Sequence, residues 1–68
     1  MESLVSRFRR AGFQFVVWKG DHSPRHAHIY RDGKLVVKWD LENWQPMRGR
    51  PGARLLRLLR ELRREGVL

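Results

Sequence analysis

The stretch His26-Ala27-His28-Ile29-Tyr30-Arg31-Asp32-Gly33-Lys34-Leu35-Val36-Val37-Lys38-Trp39 decides the fold class. At its centre stands Asp32-Gly33. A two-residue type I′ connection needs positive φ at both central residues, and Asp-Gly accepts that conformation readily. The flanks are β-branched and aromatic, as strands prefer. Two strands, His26 to Arg31 and Lys34 to Leu41, are therefore expected as a hairpin. An unbroken ladder pairs Arg31 with Lys34, then Tyr30 with Leu35, Ile29 with Val36, His28 with Val37, Ala27 with Lys38 and His26 with Trp39. Directly opposed side chains share a face. One face then holds His26, His28, Tyr30, Leu35, Val37 and Trp39, and the other Ala27, Ile29, Arg31, Lys34, Val36 and Lys38. Both faces mix polar and apolar residues, so the alternation alone does not say which one is covered.

Upstream, Phe13 to Trp18 is aromatic and β-branched and reads as a third strand. Lys19 to Pro24 follows as a loop dense in turn formers. The segment from Ser3 to Gly12 has two readings. As a helix, Ser3 caps it, Leu4, Phe8 and Ala11 share a face, and Gly12 stops it. As a strand, Leu4, Ser6 and Phe8 alternate with Val5, Arg7 and Arg9. The helix satisfies both end signals and is the expectation.

Downstream, Asn43 to Gly52 contains Trp44, Pro46, Gly49 and Pro51 and reads as an irregular connection. From about Ala53 to Glu65, Leu55, Leu58, Leu59 and Leu62 form an apolar stripe, with Arg57, Arg60 and Arg64 opposite and Gly66 as the stop. The expected fold is α+β, a single domain over residues 1–68. A three-stranded antiparallel sheet carries the C-terminal helix on one face, beside a short N-terminal helix or an extra strand.

Sixty-eight residues leave a small core, and no cysteine is present to staple it. That excludes a disulfide framework and a thiolate zinc cage, and points to reinforcement by a partner chain or a second copy. The longest apolar run, Phe15-Val16-Val17-Trp18, is far short of a membrane span. A cytoplasmic chain without a membrane partner is the expectation. Fifteen basic residues, twelve of them arginine, stand against seven acidic ones, for a net charge of +8. Residues 1–12 are net +2, residues 13–47 net +1 and residues 48–68 net +5, so the charge gathers at the two ends. Arginine's planar fork suits phosphate, which points to nucleic acid as a partner. Arg48, Arg50, Arg54, Arg57, Arg60 and Arg64 are the candidate phosphate contacts. The bland alternative is a solvated face in which Glu61 pairs with Arg57 and Arg64.

His22, His26 and His28 fall within seven residues, beside Asp21. His22 in the loop is the candidate base for metal-free RNA cleavage, taking a 2′-hydroxyl proton while arginines stabilise charge on phosphorus. Asp21 either orients it or closes the turn. The alternative is a divalent metal at His22, His26 and His28, through neutral ring nitrogens. In the bland reading the histidines only pack and bond to backbone.

The run Asp21-His22-Ser23-Pro24-Arg25-His26-Ala27-His28-Ile29-Tyr30 resembles the signature D-H-x-P-x-H-x-H-V of a family of small bacterial proteins of unknown function. The similarity covers residues 12–62 and includes the hairpin and the closing helix. Such proteins are often encoded beside an antitoxin-like gene, so the resemblance implies a toxin–antitoxin setting and an antitoxin-like acidic protein as partner. A looser similarity is to HicA-type mRNA interferase toxins, through Ala11-Gly12-Phe13 and through Gly20-Asp21-His22, where that family carries Gly-Ser-His. It implies a ribonuclease with His22 as its catalytic residue. A non-catalytic module docking an acidic protein is the rival reading.

Overall fold

Two pairs of consecutive residues with positive φ reverse the chain. Ala11 and Gly12 lie at φ 55° and 85°, and Asp32 and Gly33 at 51° and 77°. Positive φ at both centres suits the right-handed twist of a tight hairpin. In a computed structural model, which describes residues 2–68, these turns join β1 (Ser3–Arg10) to β2 (Phe13–Lys19) and β3 (His26–Arg31) to β4 (Lys34–Asp40). A fifth strand, β5 (Gln45–Arg48), and one helix, α1 (Ala53–Arg64), complete the chain. The strands form one antiparallel sheet in sequence order. The α+β class stands, but the sheet has five strands where three were expected.

The segment expected as an N-terminal helix is strand β1. Its helix signals are local, whereas the Ala11-Gly12 turn places Arg10 opposite Phe13 and lines up a ladder. Phe8 then stacks on Phe15 with ring centroids 4.9 Å apart and nearly parallel planes. Ser6 and Phe8 are the half-buried residues of β1, the alternation of a strand. The other additional strand comes from the connection expected to be irregular. It lies at the sheet edge, where Pro46 costs no interior ladder bond.

The expected register of the β3–β4 hairpin is also corrected. Arg31 opposes Lys34 and Tyr30 opposes Leu35, but the next pair is Ile29 with Val37. A β-bulge at Val36 shifts the rest of β4 by one residue, so Ala27 meets Trp39 and His26 meets Asp40. The shift transfers Val37 and Trp39 to the face of Ala27 and Ile29. Burying four apolar residues together outweighs one interrupted ladder step.

That face, with Phe13, Phe15 and Val17, packs under Leu55, Leu58, Leu59 and Leu62 of α1 and forms the core. Trp44 closes one side, edge-on to Trp39 at 5.5 Å, and its own ring is covered by the Arg63 guanidinium at 4.5 Å. At the end of α1, Gly66 at φ 81° sends its N–H to the Arg63 carbonyl, and Val67 sends its N–H to that of Leu62. These two bonds make a Schellman stop. The second face of the sheet carries no helix.

Gly49 locks β5 against the bulge. It sits at φ 78°, and a Cβ there would come within 2.5 Å of the Val36 carbonyl oxygen. Gly49→Ala is therefore expected to destabilise the fold by about 2 kcal/mol or more, from combined backbone strain and overlap. Gly52→Ala, where the Cβ would meet nothing within 4 Å, should change stability little. Urea unfolding of the two variants beside the parent checks this.

Candidate nucleic-acid interface

Successive pairings across the helix-free face place side chains in rows. The central row runs Arg7, Val16, His28, Lys38, Arg48, one residue from each strand. Four strand spacings make it about 19 Å long. A second row holds Arg9, Gln14, Tyr30 and Leu35. A third holds Leu4, Trp18, His26, Asp40 and Gln45. Arg7, Arg9 and Arg48 are exposed, and Gln14, Trp18, His28, Tyr30 and Lys38 are half-buried. The face thus carries cations beside aromatic rings. Carboxylates stand only toward its ends among the described residues, with Glu2 and Asp40 near His26 and Asp32 at the hairpin tip.

His26 and Asp40 of the third row are structural. His26 is 1% exposed, and its Nδ1 donates to the Pro24 carbonyl at 2.9 Å, since a carbonyl only accepts. Its Nε2 faces the Glu2 carboxylate at 3.7 Å. Asp40 is 4% exposed and accepts from the backbone N–H groups of Glu42 and Asn43 and from the Asn43 amide. Those bonds, the Asn43 pair foremost, hold its carboxyl below the usual carboxylate range. Arg25 ties the preceding loop to the same turn. Its N–H bonds Glu42 at 2.6 Å, and its carbonyl takes the Leu41 N–H at 2.9 Å.

His28 differs from its neighbour. It lies 5.2 Å from the His26 ring and 6.5 Å from that of Tyr30, directly across from Lys38. Partial burial first, then the charges of His26 and Lys38, push its pKa below 6.5, with Glu2 opposing. The shift favours the neutral imidazole.

The histidines expected together are divided. His26 and His28 share the sheet face, while His22 and Asp21 are exposed on the loop before β3. His22 makes no hydrogen bond, ion pair or ring contact with a described residue. Among the described residues no three His, Asp or Glu side chains gather in a metal-holding group.

The candidate arginines are divided as well. Arg48 lies in the central row and Arg50 is exposed in the connection to α1. Arg54 reaches the Ala11 carbonyl at 3.4 Å, and Arg57, Arg60 and Arg64 are exposed on α1. The alternative pairing of Glu61 with Arg57 and Arg64 is not formed among the described residues. Instead Glu65 receives both Nη atoms of Arg10, at 3.1 and 3.2 Å. This fork holds the Glu65 pKa down and the Arg10 pKa up. Sequence reasoning missed Arg7, Arg9 and Lys38. Their signal was the i, i+2 spacing of Arg7 and Arg9, legible only once residues 3–10 are read as a strand.

Compared with family models, curated proteins and solved structures, the chain matches none. Among the described residues no helix is long and apolar enough to cross a membrane.

A histidine whose folded pKa lies below its unfolded value of 6.5 binds its proton less readily when folded. Its contribution is complete above pH 6.5 and is lost as pH falls through the folded pKa. Urea titrations at pH 7.5 and 5.5 should show a drop at the lower pH that His28→Gln reduces.

Proposed function

We propose that the protein binds nucleic acid, and RNA in particular, on the helix-free sheet face. The observation that supports this reading is the central row. Arg7, Lys38 and Arg48 place charge along one line across the sheet, without a carboxylate among them. A five-stranded sheet is too broad for a DNA groove, which admits a helix or a two-stranded ribbon. An unstacked single strand can instead lie on a sheet and stack its bases on rings such as Tyr30 and Trp18. Single strands in a cell are mostly RNA.

The reading includes an activity. In metal-free RNA cleavage a neutral imidazole removes the 2′-hydroxyl proton, and neighbouring cations stabilise the charge on phosphorus. His22 offers an imidazole without a contact to another described residue, on an anchored loop, and His28 offers one whose pKa is lowered, inside the row of cations. A second reading, docking of an acidic antitoxin-like protein, draws support from Arg57, Arg60 and Arg64, which are exposed on the opposite side of the molecule and unpaired among the described residues.

Anisotropy titration of a labelled uridine 12-mer between 50 and 200 mM salt tests the binding. About four phosphate contacts predict a slope of log K on log salt of about −3, reduced by about 0.7 in each of Arg7→Ala, Lys38→Ala and Arg48→Ala. The triple change of Arg57, Arg60 and Arg64 to alanine should leave the slope near that of the parent. Binding indifferent to salt, or lost only in the helix triple, defeats the sheet-face reading.

Incubation with RNA in EDTA tests the activity. Cleavage that survives the chelator and disappears with one of His22→Ala and His28→Ala identifies the base. Cleavage indifferent to both changes removes the histidine mechanism.

A further inference from the structure

At one end of the sheet the two hairpin tips stand apart, and a cleft of about 310 Å³ opens between them. The Ala11-Gly12 turn forms one wall and the Asp32-Gly33 turn the other. Arg9, Gln14 and Tyr30, the second row of the helix-free face, line the same cleft. Arg10 and Phe13 of the helix side line it as well, so the cleft opens across the end of the sheet and adjoins the face on which the cations lie, one row from Arg7 and Lys38.

Its size is at the low end of small-ligand sites, about 300–1,000 Å³. Its lining suits a flat, polar group better than an aliphatic one. Tyr30 offers a ring, Gln14 an amide with both donors and acceptors, and Asp32 a carboxylate that only accepts when ionised. Arg9 stands in the row with Tyr30, where a guanidinium can meet the phosphate attached to whatever enters. Among the RNA bases, guanine presents two adjacent N–H donors on its Watson–Crick edge, the pattern a carboxylate accepts. A backbone draped over the central row would leave one nucleotide beside the cleft.

We propose that this cleft takes one unstacked base of a bound RNA strand, guanine by preference, with Tyr30 as the stacking ring and Asp32 as the acceptor for its N–H edge. The inference rests on the RNA reading above. It adds a base preference to a face whose cations alone would bind any sequence equally.

Amide NMR titrations with guanosine 5′-monophosphate, uridine 5′-monophosphate and ribose 5-phosphate test it. The expected result is that the guanosine nucleotide shifts the amides of Gln14, Tyr30 and Gly33 and binds about fivefold or more tighter than the uridine nucleotide. Fivefold is the lower range for discrimination by one bidentate pair between a side chain and a base edge. Ribose 5-phosphate should leave those amides unmoved. Asp32→Asn retains a residue that favours the type I′ turn while removing the carboxylate, and should bring the two nucleotides to equal affinity. Tyr30→Leu, with a native amide spectrum, should weaken both.

Equal shifts with ribose 5-phosphate, or a guanosine preference that survives Asp32→Asn, overturn the proposal. The uridine 12-mer separates the two levels. If it binds while no nucleotide moves the cleft amides, the base site is wrong and the RNA reading stands. If the 12-mer does not bind either, both fall.

Discussion

The one-residue bulge at Val36 is the constraint on which the molecule's two-sidedness depends. In an unbroken ladder Val37 and Trp39 would share a face with His26 and His28. The bulge turns them over, so they join Ala27 and Ile29 beneath α1, while Lys38 turns outward beside His28. One interrupted step in the ladder thus completes the core and fills the central cation row at once. Gly49 supports the step from just beyond β5, because only a residue without a side chain approaches the Val36 carbonyl so closely.

The same device recurs at the margins of the sheet. Register shifts occur in β1 at Val5 and between β4 and β5 at Met47. Val5, Val36 and Met47 are all exposed apolar residues. Each is the residue passed over so that its neighbours keep their faces. Bulges of this kind also twist an edge strand away from the flat form that invites pairing with another chain. Together with Pro46 in β5, they suit a small sheet whose two edges are uncovered.

The charge of +8 is distributed by this architecture over two opposed surfaces. Arg57, Arg60 and Arg64 of α1 are exposed on the helix, while Arg7, Arg9 and Arg48 lie on the helix-free face of the sheet. Arg10 is an exception. It faces the helix side and joins the first hairpin to the end of α1 through Glu65. The two basic sides therefore rest on different supports, one on the sheet and the other on the helix. The histidines follow the same partition. His26 is spent on fixing the loop, His28 is placed among cations, and His22 is left at the surface.

By itself the sequence determined the parts whose signals are local. Asp32-Gly33 specified a hairpin because its backbone preference is set within two residues, and the leucine stripe from Leu55 to Leu62 specified a helix because its periodicity is self-contained. Gly66 likewise marked the helix end. The N-terminal strand was hidden because Ser3, Phe8 and Gly12 satisfy helix signals equally well. Only pairing with Phe13 to Lys19, and the stacking of Phe8 on Phe15, made the strand the better state. The candidate interface was legible as charge but not as a surface. Arg7, His28, Lys38 and Arg48 come from four strands, and their alignment depends on a bulge whose stabilisation comes from a helix packed on the opposite face. That choice is tertiary, since a one-residue register shift changes no local preference and exchanges every side chain between core and solvent.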